Sequence, residues 1–202
     1  MVDNRGMHSW EALLPCRLRS SGIVSTAFLS LAKADLRVAG QHVCDLPYGR
    51  NGHPDDPLAV LTERRGTCST KHALLRRLAI EQEIDLLLIL GIYEMNERNT
   101  PGVGSVLERY GLNALPEAHC YLRVGNERID VTRQNVGSHV EPISHFLHEE
   151  EIDPSQITLY KSGVHKSFLQ QWITERPDIR EFSLASIWEI REECIAALSL
   201  RR

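Results

Sequence analysis

Long apolar runs are absent from this chain. The longest, inside DLLLILGIY at 85–93, falls well short of the ~20 residues that an α-helix needs to span a bilayer, so no membrane-spanning segment is expected. The N-terminal stretch MVDNRGMHSWEALLP has no basic region leading into an apolar one, and no secretory signal is expected either. Cysteine is sparse: Cys16, Cys44, Cys68, Cys120 and Cys194 are odd in number, irregularly spaced and form no CxxC pair. That pattern argues against a disulfide framework, lends a structural zinc knuckle little support and suits free thiols in a reducing cytoplasm. An excess of positive charge is missing too, since 23 Lys and Arg stand against 27 Asp and Glu for a net charge of −4. A chain built mainly to bind nucleic acid would be basic, so neither nucleic acid nor membrane is expected as a partner. Gly102-x-Gly104 lacks the Lys-Ser/Thr of a phosphate loop and reads as a turn. There is no internal repeat and no low-complexity tract.

What is present suits an ordinary globular protein, with 42% hydrophobic and 25% charged residues over 202 positions. The expectation is one domain over 1–202, with a motif-bearing core at about 60–135 and a helical C-terminal part at about 140–202. Residues 23–39 carry apolar side chains at three-to-four spacing and predict one amphipathic helix, with Gly40 as its stop. DLPYGRNGHPDDP at 45–57 reads as a long loop of the kind that often carries function. A helix is expected from Thr67, a buried strand at 85–93, and a turn at 100–105 leading into a short helix through Tyr110. AHCYLRV at 118–124 and ERIDVT at 127–132 flank Gly125 and Asn126 as a β-hairpin. Further helices are expected at 142–151, 164–175 and 183–199, broken by Pro154 and Pro177. The order of elements predicts an α+β fold.

The segment RRGTCSTKHALLRRL at 64–78 places Cys68 in the first turn of a helix capped by Thr67, just after Arg64 and Arg65. Unpaired backbone N–H groups and the helix dipole at that end stabilise a thiolate, the nucleophilic form of cysteine. A cysteine nucleophile also needs an imidazole oriented by a third group. The hairpin offers both. With a two-residue turn at 125–126, Val124 pairs with Glu127, Tyr121 comes to face Asp130, and His119 comes to face Thr132. Side chains alternate along a strand, so His119 and Asp130 share a face as diagonal neighbours. A one-residue change of the turn would break this arrangement.

Gly66-x-Cys68 opening a helix, an Ala-His119-hydrophobic strand, and Asp130-x-Thr132 together resemble the transglutaminase-like superfamily of cysteine enzymes over roughly 60–135. The resemblance implies a papain-like α+β core in which the cysteine helix packs on an antiparallel sheet, with N- and C-terminal helices as additions. It implies Cys68 as nucleophile, His119 as general base and acid, and Asp130 as the group that fixes the imidazole tautomer. Acyl transfer through a Cys68 thioester would follow, to water or to an amine, on a peptide or small-molecule amide or acyl substrate. An oxyanion hole would take the Cys68 backbone N–H and one further donor, with Tyr48, Asn51 and His53 as candidates. His72 lies four residues past Cys68 on the same helix side and is a further candidate beside the thiol. Arg64-Arg65-Gly66-Thr67-Cys68 also approaches the Arg-Gly-Gly-x-Cys signature of the arylamine acetyltransferases, with Arg65 in place of one glycine.

No cofactor and no metal are expected. A Cys68/His72/His119/Asp130 zinc site has suitable ligand types but no spacing signature, and His139, His145, His148 and His165 read as isolated histidines. The acidic run at 149–153 reads as a solvated helix end. Cys16, Cys44, Cys120 and Cys194 read as small packing residues, and Trp10, Trp172 and Trp188 as core or interface aromatics. The competing class is a non-catalytic binding module on the same fold. Openness of the cleft and activation of Cys68 separate the two.

Overall fold

The computed structural model describes residues 7–133 and 140–200 of the chain. The fold is α+β, with seven α-helices and a four-stranded antiparallel sheet among the described residues. The apolar run at the middle of the sequence becomes β1 (Leu87–Met95), which lies inside the sheet between β2 (Leu115–Val124) and β4 (His148–Glu151). β3 (Glu127–Ile129) completes the order β3-β2-β1-β4.

β1 is apolar at nearly every position because both of its faces are covered. Leu88, Leu90 and Ile92, with Ala118, Cys120 and Leu122 of β2, pack with Leu74, Leu75 and Leu78 of α4 (Cys68–Glu81). Ile89, Tyr93 and Met95, with Leu115 and Tyr121, pack on the other face with α6 (Leu159–Glu175) and α7 (Leu184–Leu200) through Leu169, Ile173, Ile187 and Ile190. Each fully buried Leu or Ile contributes roughly 1.5–3 kcal/mol. The sheet is therefore the layer that holds the cysteine helix and the C-terminal helices in one core. Gly91, opposite His119, is where the ring of Phe146 closes onto the sheet, and a Cβ there would run into that ring.

Three sequence expectations change. The single helix at 23–39 is two, α1 (Ile23–Ser30) and α2 (Leu36–Asp45). The chain turns between them through Ala32 at φ 57, and the Asp35 carboxylate caps α2 by accepting the Arg37 N–H at 2.8 Å. Gly40 stops nothing. It is buried inside α2, where the Leu13 side chain packs against it so closely that a Cβ would collide. The helix at 142–151 is absent: the segment runs extended into β4, and the acidic run supplies an edge strand. Its backbone ties to β1 on both sides of the ladder, Leu147 N–H to Ile92 O at 2.7 Å and Ile152 N–H to Leu88 O at 2.9 Å. A helix was expected there, but the open edge of β1 takes the segment as its partner.

The loop after α2 holds only the short α3 (Ala59–Thr62) and is laced to the segment before α4. Gly49 N–H bonds Gly66 O, and Gly66 N–H bonds Pro47 O, both at 3.1 Å. A Cβ on Gly66 would approach Lys71 Cγ and Thr70 Oγ1 to 2.9 Å, so this glycine permits the close crossing just before Cys68. α5 (Gly104–Arg109) follows the turn after β1, as the sequence predicts. Among the described residues no helix is long and apolar enough to cross a membrane.

Candidate active site

Thr67 caps α4. Its hydroxyl accepts the Thr70 N–H at 3.4 Å, and Thr70 Oγ1 accepts the Thr67 N–H at 3.0 Å. This reciprocal cap leaves Cys68 as the first helical residue, where backbone N–H groups lack intrahelical partners. Cys68 keeps 9% of its surface exposed, at the edge of a cavity of about 260 Å³.

The hairpin register is the predicted one: Leu122 pairs with Ile129, Arg123 with Arg128 and Val124 with Glu127. The ladder ends at Ile129, so Asp130 is not placed by pairing with Tyr121. It is held by its own N–H, which donates to His8 O at 2.8 Å, and by Val131 N–H, which donates to His72 Nε2 at 2.9 Å. His119 Nε2 and Asp130 Oδ2 lie 2.9 Å apart, and Asp130 Oδ1 accepts the Thr132 N–H at 2.7 Å. The His119 ring also bears electrostatically on the Cys68 sulfur. With Nε2 donating to Asp130, Nδ1 is the nitrogen left to face the thiol. Edge contacts from Tyr93 and His72, with centroids 6.0 and 6.1 Å away, hold the ring between them. Tyr121, on the same face, stacks on Phe146 at 5.1 Å and bonds Glu149, outside the site.

His72 is fully buried beneath Cys68. Its Nδ1–H donates to Cys68 O at 2.6 Å, because Nε2 must be bare to accept from Val131. Burial outweighs the Asp130 carboxylate, which works to raise it, and brings its pKa down to about 4, so the ring is neutral. Its part is to fasten the nucleophile's backbone to the segment that carries Asp130.

The sequence reading missed Lys161. α6 begins at Leu159 rather than 164, which puts Lys161 in the helix's first turn. Its Nζ donates to Ser69 Oγ at 2.8 Å and lies 3.7 Å from Cys68 Sγ, in a buried position. A signal was present: the buried residues of α6 are Lys161, His165, Leu169 and Ile173, spaced by four, so the apolar stripe of the helix continues upstream as Lys and His. His165 donates from Nε2 to Pro116 O at 2.8 Å. Beside it, Glu117 of β2 and Arg191 of α7 form a two-pronged pair at 2.6 and 2.8 Å, with side chains 7% and 13% exposed.

The electrostatics follow from these placements. Burial works to push the Cys68 thiol up, but the Lys161 ammonium and then His119 outweigh it and bring it down to about 6. Burial works to lower the His119 pKa, but the Asp130 carboxylate and the Cys68 sulfur raise it well above the usual imidazole range. Burial would raise Asp130, yet His119 holds it well below the ordinary carboxylate range. The resting arrangement is a thiolate between an ammonium and an imidazolium.

Of the other candidates, Tyr48 and Asn51 line the cavity with Cys68. Tyr48 lies under the Arg133 guanidinium at 4.4 Å, and burial together with the neighbouring Cys68 raises its phenol. Asn51 braces the loop: its amide nitrogen bonds Ala59 O at 3.3 Å and Arg65 O at 3.0 Å, and its oxygen accepts the Thr70 hydroxyl at 2.7 Å. His53 is exposed on the loop and does not line the cavity. Among the described residues no group of three or more His, Cys, Asp or Glu is arranged to hold a metal ion. His145 is exposed, His148 lies in β4 rather than on a helix, His165 is buried on α6, and His139 lies outside the described residues. A scan of protein-family models and searches of curated proteins and of solved structures give no match to the chain.

Proposed function

We propose that the protein is a cysteine-dependent acyl-transfer enzyme of transglutaminase-like, papain-like architecture. The observation that carries the reading is the convergence on Cys68 of a helix N-terminus, the His119–Asp130 pair and the Lys161 ammonium. Three placements that favour the same charged form of one sulfur are more than packing requires. In the reaction, the Cys68 thiolate attacks a carbonyl carbon, the new C–S bond forms, and the carbonyl electron pair moves to oxygen. The backbone N–H groups at the start of α4 stand ready for that oxyanion. Collapse expels the amine, which takes the His119 proton, and leaves a thioester. His119, now neutral, removes a proton from water or an acceptor amine, which attacks the thioester and frees the thiolate. The cavity of about 260 Å³ favours a small acyl donor over one that must also seat a nucleotide, which sets acetyl transfer from coenzyme A behind amide chemistry.

Mass-spectrometric alkylation with iodoacetamide across pH 5 to 9 tests the reading. A thiol with a pKa of about 6 is ionised far more than a free one at pH 6, but its lower basicity costs part of that gain. The net advantage per thiol is about tenfold. Cys68 labelling is expected to reach half its maximum near pH 6, and His119→Ala to move that midpoint upward. A midpoint shared with Cys16 and indifferent to the substitution would favour the binding-module reading.

A further inference from the structure

Among the described residues, the anion that faces Lys161 directly is the Cys68 thiolate, and it is consumed by the reaction proposed above. Its Nζ bonds the neutral Ser69 hydroxyl at 2.8 Å and faces the Cys68 sulfur at 3.7 Å. The carboxylate that also bears on it, Glu117, spends both oxygens on Arg191. Cys120, the other nearby thiol, is held up by burial and stays neutral. Once Cys68 carries an acyl group, its sulfur has no charge, and a buried ammonium is left bonding a hydroxyl, with the Glu117 carboxylate already committed to Arg191. A buried cation without a counter-charge is costly, and the cost is relieved if the acyl group brings an anion. The anion has to sit on the acyl side of the scissile bond, because anything on the leaving group departs before the thioester exists.

We infer that Lys161 is a specificity-determining residue that selects acyl donors carrying a carboxylate close to the reacting carbonyl, that is, half-amides or half-thioesters of short dicarboxylic acids. The inference rests on Cys68 being the nucleophile. The Nζ–Sγ separation of 3.7 Å sets the scale: a carboxylate one or two carbons beyond the sulfur-bound atom reaches the ammonium.

Two alkylating agents of one size and opposite character test it. Iodoacetate and iodoacetamide both react by thiolate displacing iodide, with one C–S bond formed, one C–I bond broken and iodide leaving. Only iodoacetate delivers a carboxylate. The ratio of their rates at Cys68 cancels the thiolate fraction, so it reports the charge preference and not the pKa. At pH 7 the ratio in the folded protein is expected to exceed that of the same cysteine in the urea-unfolded chain by at least tenfold. Lys161→Met is expected to bring it down to the unfolded value, and Lys161→Arg to keep most of it. Mono-p-nitrophenyl succinate is likewise expected to acylate Cys68 faster than p-nitrophenyl butyrate, with the preference lost in Lys161→Met. A folded-chain ratio within twofold of the unfolded one overturns the inference and needs no variant. So does a ratio that survives in a folded Lys161→Met protein, which would assign the preference to the His119 imidazolium. Slow iodoacetamide labelling with a free-thiol pH profile would instead remove the enzymatic reading itself, so the two failures are distinct.

Discussion

At Asp130 two duties meet in one side chain: Oδ2 takes the His119 ring and Oδ1 takes the Thr132 N–H. Asp130→Asn keeps an acceptor for the second and removes the charge from the first. A charge-assisted hydrogen bond is worth about 1.5–3 kcal/mol, so Cys68 labelling at pH 6 is expected to fall several-fold in this variant, part of the lost thiolate being offset by its higher basicity. An unchanged rate in a folded variant would mean that Lys161 alone holds the thiolate. Cys68, His119 and Asp130 were legible in the sequence because short-range rules place them. A Thr cap fixes the first, and the two-residue turn sets the register that brings the chain back beside the second, although Asp130 itself lies one residue past the ladder and is held by His8 O. Lys161 was missed because the stripe Lys161, His165, Leu169, Ile173 opens with two polar residues, and the helix was expected to begin only at 164. His72 was legible as a neighbour of Cys68 but not as a buried strut, since nothing local announces that Val131 lies beneath it.

Helix α4 depends on that strut. His72 joins Cys68 O to Val131 N–H only while its ring is neutral, and its pKa of about 4 lies below the ordinary 6.5. Between those two values the unfolded chain binds the proton that the folded chain refuses. Stability from this group is therefore complete above about pH 6.5 and is lost as pH falls toward about 4. The loss is on the order of 3 kcal/mol. His72→Asn lacks this titration, so its stability deficit against the wild type in urea unfolding is expected to narrow by that amount between pH 7 and pH 4. A deficit that stays constant would separate the strut from its protonation. The same element shows what the sequence can and cannot give. α4, β1 and the hairpin were readable because cap, apolar run and turn agree with the final packing. The break at 31–35 was not, because Ala32 turns left-handed and Asp35 caps a second helix inside an unbroken apolar periodicity, and the strand at 148–151 was not, because its partner is the distant open edge of β1.

Across the whole molecule, the sheet is joined to α7 by the Glu117–Arg191 pair as well as by apolar packing. Arg191→Met would leave the Glu117 carboxylate buried and unpaired, and a loss of about 3–5 kcal/mol is expected in denaturant unfolding. Glu117→Met combined with Arg191→Met is expected to recover at least half of it, because no charge is then stranded. A double variant as unstable as the single one would mean that packing around Trp188, over which Arg191 also lies at 5.2 Å, carries the cost instead.

The cavity wall and Lys161 come from α6 and α7, while the nucleophile, His119 and Asp130 come from the stretch before them. During synthesis, Cys68 and its hairpin therefore leave the ribosome before the ammonium that helps hold the sulfur charged. Until α6 docks, the nascent chain carries a thiol with its imidazole but without its second cation or the enclosing wall. Docking of the last helices would then act as the arming step, which iodoacetamide labelling of chains stalled before and after 161 would read directly.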